Sequence, residues 1–244
     1  MKYFDAHNHL QDYGSPSELA GALAAAAAAG VEGMLCCATR PGNWQRVLAI
    51  AAGGKGITPC LGVHPWFAVE VRGGWLARLE ELLRGAAGLG EIGLDAVRAT
   101  ACQEEVFAGQ LKLAKKLNRP AVIHCVGAWG RLLALLREHR PPAFLLHAYG
   151  GSPELVVNFT ALGGYFSFGK EIMAPERGKL RAALKTVPRG RLLFETEAPA
   201  PGAASGPAGI ADIVAAAAGI LGVEHEELAE LAYRNGCNFV NLKV

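Results

Sequence analysis

The sequence is short of several features that would otherwise decide its class. Charge of one sign is lacking: 24 Lys and Arg against 22 Asp and Glu leave a formal +2 at pH 7. No broad field therefore gathers nucleic acid or an acidic membrane, and any anion must be held locally. No apolar run approaches the roughly 18 residues of a membrane-spanning helix. The longest runs lie at 22–29 and 213–223, so no membrane partner is expected. Asp5 and His7 interrupt the start of the chain before a signal-type apolar stretch can form; the expectation is no secretory signal and a cytoplasmic location. The six cysteines include no C-x-x-C pair. That argues against a thiolate zinc site and leaves Cys36, Cys37, Cys60, Cys102, Cys125 and Cys237 as reduced, mostly core thiols. With 19% charged and 51% hydrophobic residues over 244 positions, extended disorder is excluded and a sizeable core is available.

What is present is a repeating pattern. Short β-branched and apolar runs recur about every twenty to thirty residues with helical stretches between them, the signature of βα units and a parallel sheet. Eight runs can be placed, at 3–9, 31–38, 57–64, 89–94, 121–126, 144–148, 165–168 and 192–197. With seven intervening helices and a helical tail they predict an α/β fold, a single (β/α)8 TIM barrel over residues 1–244. Ser15-Pro16-Ser17-Glu18 reads as a capping box with proline at the first helical position, and Gly30 ends that helix. Its alanine run, 24–29, is expected to pack closely on the barrel. Residues 199–209, rich in Pro, Gly, Ser and Ala, read as a loop over the barrel mouth.

Polar residues gather at the C-terminal ends of the runs, the face where barrel enzymes carry their chemistry. Asp5, His7 and His9 end the first run and His64 the third. Glu91 lies on the fourth with Asp95 beyond, His124 on the fifth, His147 on the sixth, Glu195 and Glu197 on the eighth. Five of the seven histidines lie there. His7 and His9, two apart on a strand, point to one face, and the same alternation places Asp5 one layer beneath. On its own a bare His-x-His is a weak signal and reads as a core or surface strand before it reads as a ligand pair. The arrival of Glu91, His124 and His147 from other strands favours a metal, because burying these groups unpaired is costly and a cation takes up their lone pairs. A His and carboxylate set without Cys suits Zn, Mn, Fe or Ni. His139 and His225 fall inside helical stretches and read as surface residues.

Asp5-Ala6-His7-Asn8-His9, Gly62-Val63-His64-Pro65-Trp66, Gly90-Glu91-Ile92-Gly93-Leu94-Asp95, Val122-Ile123-His124, Leu146-His147-Ala148-Tyr149-Gly150-Gly151-Ser152 and Glu195-Thr196-Glu197-Ala198-Pro199 resemble, in order, the successive signatures of the TatD family of metal-dependent hydrolases. The resemblance implies a barrel of the amidohydrolase superfamily with deoxyribonuclease activity on phosphodiesters. Carried over, it implies that His7 and His9 hold one divalent ion, His124 and His147 a second, and that Glu91 bridges them. Glu197 would ligate the first ion and take the nucleophile's proton. Two ions (Zn, Mn, Ni or Mg) roughly 3.5–4 Å apart would activate a shared water as hydroxide and clamp the attacking and leaving oxygens. Asp5 and Glu195 would orient ligand imidazoles.

The chain also departs from the family pattern. Glu197 stands where the family usually has Asp, one methylene shorter. Val126 and Gly127 stand where it commonly has an Arg and an acid; His124-Cys125-Val126-Gly127-Ala128-Trp129-Gly130 resembles instead a short-form branch with His-Cys-x-x-Ala-Trp-Gly. The loop after Pro199 lacks the family's Arg and Asn. Arg40, Arg98, Lys170 and His64 are the candidates for meeting substrate, the alternative for each cation being a solvated loop charge. Trp66, Phe67, Trp129 and Tyr149 either ring the mouth and stack on a base or pack between loops. The expected function is hydrolysis of a phosphodiester, in single-stranded DNA or a small molecule. Two alternatives stay open: an amide or lactone hydrolase using the same centre, and a metal- or ligand-binding barrel that no longer turns over.

Overall fold

Strands β1 (Tyr3–Asn8), β2 (Val31–Cys37), β3 (Ile57–Leu61), β4 (Gly88–Asp95), β5 (Ala121–Val126), β6 (Phe144–Leu146), β7 (Gly164–Phe168) and β8 (Leu192–Phe194) pair in parallel, in chain order, in one sheet. These elements belong to a computed structural model that describes residues 1–199 and 206–240. Past the end of β8 the chain returns to β1: Glu197 N–H donates to His7 O at 3.1 Å and His9 N–H to Ala198 O at 2.7 Å. Those bonds bring the sheet round into the expected TIM barrel. Helices α1 (Pro16–Ala28), α2 (Trp44–Gly53), α3 (Trp75–Leu82), α4 (Gln103–Leu117), α5 (Trp129–His139), α6 (Pro153–Thr160) and α7 (Gly178–Thr186) alternate with the strands, and α8 (Ile210–Leu221) and α9 (His225–Val240) form the tail. Among the described residues no single helix is long and apolar enough to cross a membrane.

The core has two parts. Helix faces such as Leu132, Leu135 and Leu136 of α5 bury themselves against the outside of the sheet. Phe4, Ala6, Leu35, Cys37, Cys60, Val122, Leu145 and Leu193 form a second cluster. By strand alternation Cys60, Val122, Leu145 and Leu193 share faces with His64, His124, His147 and Glu195, so this cluster fills the barrel interior beneath them.

Besides a register shift between Tyr3 and Phe4, where the extra residue lies in β2, two strands break the simple alternation next to the polar cluster. Asp5 pairs with Met34 but Asn8 with Cys36, and Leu89 pairs with Ala121 but Ile92 with Ile123. Each break is one extra residue, a β-bulge, which lets Ala6 and His7, or Gly90 and Glu91, both face inward. The bulge in β1 overturns the placement of Asp5 beneath His7: Asp5 faces away with Asn8 and Thr196.

Several local expectations change. β3, β6 and β8 stop short of the runs read at 57–64, 144–148 and 192–197, because the polar ends turn out of the ladder; Ala148 (φ 43°) and Glu197 (φ 60°) occupy the left-handed region. Ser15 caps α1 by accepting from Glu18 N–H at 3.2 Å, but the Glu18 carboxylate returns to Gly14 N–H (3.1 Å), not to Ser15. Within the alanine run only Ala26 is buried; those methyls serve helix propensity more than packing. His139 is buried, correcting its surface reading, since 132, 135, 136 and 139 form one helical stripe. His225 is half-buried, its Nε2 3.1 Å from the Tyr3 hydroxyl. Cys102 is exposed before α4, not a core thiol. Of the loop read at 199–209, residues 200–205 lie outside the described residues.

Candidate metal centre

Glu91 is the hub of the barrel mouth. It is buried on β4, and its two carboxylate oxygens divide five imidazoles between them. Oε2 faces His7 Nε2 at 3.4 Å and His9 Nε2 at 3.3 Å. Oε1 faces His64 Nε2 at 3.2 Å, His124 Nδ1 at 3.0 Å and His147 Nε2 at 2.8 Å. Glu197 approaches from the last strand end, 3.5 Å from His7 Nε2, 3.4 Å from His9 Nε2 and 3.6 Å from His147 Nδ1. The close approach of β4 to β5 that brings His124 to Glu91 depends on Gly93, whose φ is +149°; a Cβ there would lie 2.0 Å from His124 O.

Outer partners fix which nitrogen each imidazole presents. His9 Nδ1 is 2.8 Å from Cys37 O, an acceptor, so the proton sits there and the Nε2 lone pair points inward. His147 Nδ1 lies 3.4 Å from Glu195 Oε1, and His124 Nε2 lies 3.4 Å from Asp95 Oδ2, leaving His147 Nε2 and His124 Nδ1 for the centre. His64 differs. Its Nδ1 accepts from Trp66 N–H at 3.2 Å, so a neutral ring carries its proton on Nε2 and donates toward Glu91. His64 lies close enough to Glu91 and His124 to join a ligand group, but this tautomer makes it a donor, as its assignment to substrate implies.

Glu195, expected to orient a ligand imidazole, stands beside His147 Nδ1 and also accepts from Ala148 N–H at 2.8 Å and from the Ser167 hydroxyl. Asp5 does not meet that expectation. It accepts from Thr196 N–H (2.9 Å), the Thr196 hydroxyl (2.7 Å) and Asn8 Nδ2 (3.0 Å), and so ties β1 to the end of β8. Burial pushes its pKa up to about 7 against those hydrogen bonds. Asp95 and Ser167, which sequence reasoning left without a role, touch the cluster through His124 and Glu195. The signal for both was parity: Asp95 shares a face with Glu91 and Gly93, and Ser167 faces Glu195.

The donor set fits a cation. His7 and His9 bring Nε2 atoms within 3.1 Å of each other beside two carboxylates, and His7 Nδ1 and Glu197 Oε2 are buried without a hydrogen-bond partner. His7, His9 and Glu91 form one group able to hold an ion; His7, His147 and Glu197 form another; His64, Glu91 and His124 a third. Without an ion, protons take its place. Burial lowers the His9 and His147 pKa values, but Glu197 and Glu91 beside His9, and Glu91 and Glu195 beside His147, outweigh it and raise both well above the imidazole norm. Burial likewise opposes ionisation of Glu91 and Glu197, yet the surrounding imidazoles hold both well below the usual carboxylate range. At His64 burial prevails over the pull of Glu91 and the pKa falls, favouring the neutral ring.

These groups open into a cleft of about 670 Å³ whose wall includes Arg40, Trp66, Phe67 and Lys170. Arg40 stacks on Phe67 at 4.8 Å and reaches Glu70 at 4.0 Å. Arg98 is exposed and stacks on the cleft-lining Trp66, its guanidinium 4.3 Å from the ring centroid. Tyr149 does not ring the mouth: it is buried, its hydroxyl donates to Ser152 O at 2.8 Å, and Trp129 packs on it with centroids 5.1 Å apart. The blander packing alternative holds for that pair.

The family model described as TatD-related DNase matches residues 4–241. A 3'-5' ssDNA/RNA exonuclease TatD from Cronobacter sakazakii is 36% identical over 185 residues, covering 72% of this chain and 70% of its own length. YcfH of Escherichia coli, an uncharacterized metal-dependent hydrolase, is 30% identical over 254 residues, 96% of this chain and 94% of its own. The crystal structure of YjjV, a TatD homolog from Escherichia coli, superposes with a TM-score of 0.89 at 27% identity, covering 99% of this chain and 98% of that one. This chain belongs to the TatD-related DNase family, and its barrel is that of a metal-dependent hydrolase.

Proposed function

We propose that this protein hydrolyses phosphodiester bonds of single-stranded nucleic acid, or of small phosphodiesters, with two divalent ions held on either side of Glu91. The observation that carries the reading is the division of the imidazoles between the two Glu91 oxygens, as a bridging carboxylate requires. His7, His9 and Glu197 would hold one ion, and His124 and His147 the other. Divalent ions there (Zn, Mn, Ni or Mg) would supply the positive charge that acidifies an attacking water and stabilises the leaving oxygen.

The chain's own groups do the rest. Glu197, kept ionised by its imidazole neighbours, accepts the nucleophile's proton. His64, held neutral with its proton on Nε2 by the Trp66 backbone N–H, would exchange its contact with Glu91 for a phosphate oxygen when substrate binds. Arg40 and Lys170, both in the cleft wall, meet flanking phosphates. The family membership and the ssDNA/RNA exonuclease named among the relatives support a single-stranded substrate.

The experiment is a substrate panel with chelator-stripped protein reloaded with each ion: a single-stranded oligonucleotide, the same sequence as duplex, a simple phosphodiester, an amide and a lactone. Metal-dependent cleavage of the single strand is expected. Turnover of the lactone or amide alone would replace this reading with the carbonyl one, and no turnover at all would favour a binding protein.

A further inference from the structure

Trp66 touches several parts of the site at once. Its backbone N–H donates to His64 Nδ1 (3.2 Å), and its indole Nε1–H donates to Asp95 Oδ2 (2.7 Å). Its ring meets the His64 ring edge-on, with centroids 4.8 Å apart, and carries the Arg98 guanidinium at 4.3 Å. The indole is 37% exposed and lines the cleft.

Asp95 is the second link. Its Oδ1 accepts from Val97 N–H (2.9 Å) and Arg98 N–H (2.8 Å), which pins one oxygen to the loop after β4. Its Oδ2 is shared by the Trp66 indole and His124 Nε2, the latter at 3.4 Å. The shorter indole bond holds that oxygen where it can take the His124 proton on Nε2. Nδ1 is thereby left as a lone pair facing Glu91 at 3.0 Å.

Arg98 is the third. A guanidinium on an indole face loses little rotamer freedom when it binds and keeps its in-plane N–H donors available. Among the described residues Arg40 has a carboxylate neighbour, Glu70 at 4.0 Å, whereas no carboxylate pairs with Arg98. An anion of the substrate is the partner its chemistry asks for.

We propose that Trp66 is a positioning residue joining a phosphate subsite to the metal centre: its N–H fixes Asp95 and through it His124, while its ring face holds Arg98 for a phosphate beside the scissile one. The Arg98 half rests on the nucleic-acid reading above; the His124 half does not. Phenylalanine at this position keeps an aromatic face for Arg98 and removes the N–H to Asp95, so the halves separate.

The test uses Trp66→Phe, Asp95→Asn, Trp66→Leu and Arg98→Ala in the full chain. Calorimetric titration of chelator-stripped protein with Zn²⁺ is compared with kcat and KM on a single-stranded oligonucleotide at saturating metal. Trp66→Phe and Asp95→Asn are expected to weaken one Zn²⁺ site by about 10-fold or more while leaving KM unchanged, the range seen when an outer partner of a ligand histidine is lost. Arg98→Ala should raise KM with metal affinity intact, and Trp66→Leu should do both. Wild-type Zn²⁺ affinity in Trp66→Phe would overturn the link to His124, as would equal weakening in Arg98→Ala, which signals general loosening. An unchanged KM in Arg98→Ala would overturn the phosphate subsite. If the wild type cleaves no oligonucleotide, the nucleic-acid reading and the Arg98 half fail together, and the Zn²⁺ titration still decides the His124 half.

Discussion

Glu197 and Glu91 meet at one imidazole nitrogen: His9 Nε2 lies 3.4 Å from Glu197 Oε1 and 3.3 Å from Glu91 Oε2. Glu197 uses its other oxygen on His7 Nε2 at 3.5 Å, so the longer side chain spans the pair from a backbone with φ of 60°. The glutamate at this position is therefore fitted to its place.

Glu197→Asp should consequently lower turnover. The carboxylate would retreat by one C–C bond, about 1.5 Å, and could not reach both rings from the same backbone. Glu197→Ala should reduce kcat by roughly 10²–10⁴-fold, the usual worth of a positioned proton acceptor. Steady-state kinetics on an oligonucleotide decides; faster turnover by the Asp variant would show the glutamate to be misplaced.

Glu91→Gln should lose metal and activity together. The amide keeps the shape but gives up the negative charge, and one of its two ends becomes a donor turned toward imidazole nitrogens. Metal content by mass spectrometry should fall in parallel with rate. Full occupancy with wild-type rate would exclude the bridging role.

Stability of the metal-free protein should peak in mildly acid solution. His9 and His147 have folded pKa values raised above the ordinary imidazole value of about 6.5, so their contribution is complete below it and is lost as pH rises through the folded values. Glu91 and Glu197 are depressed below about 4.5, so theirs is complete above that value and is lost as pH falls through the folded values. Thermal melts of chelator-stripped protein should be highest between about pH 4.5 and 6.5. Divalent ions should stabilise more as pH rises, because they compete with those protons. An apo melting temperature that climbs steadily from pH 6 to 8 would contradict the assignment.

Most of the barrel was legible because its signals are periodic: eight apolar runs, six of them carrying His or carboxylate residues toward their ends, admit few other folds. The cluster of imidazoles and carboxylates at the barrel mouth was legible because the residues able to form it sit at those ends. What was not legible came from breaks in the period. Asp5 was misplaced because strict alternation was carried through a bulge that only the pairing with Met34 and Cys36 shows. His139 was misread because its type outweighed its position on the α5 stripe. The donor tautomer of His64 depends on a backbone N–H two residues on, which no side-chain pattern records.

Asp5 provides a check on that correction. Asp5→Asn should destabilise the fold by about 1–3 kcal/mol, since an amide nitrogen must then face one of three buried donors. Metal affinity should change little. Urea unfolding of the apo protein with a parallel Zn²⁺ titration separates the two; a large loss of affinity without loss of stability would restore the orienting role.

The central claim, hydrolysis by two ions split across Glu91, is tested most directly by adding metal back stepwise to chelator-stripped protein while following cleavage of a single-stranded oligonucleotide. The account predicts no cleavage in chelator and a rate that rises to a plateau at two equivalents of ion per chain, with Glu91→Gln silent throughout. Full cleavage in the presence of chelator, or a plateau at one equivalent, would contradict it.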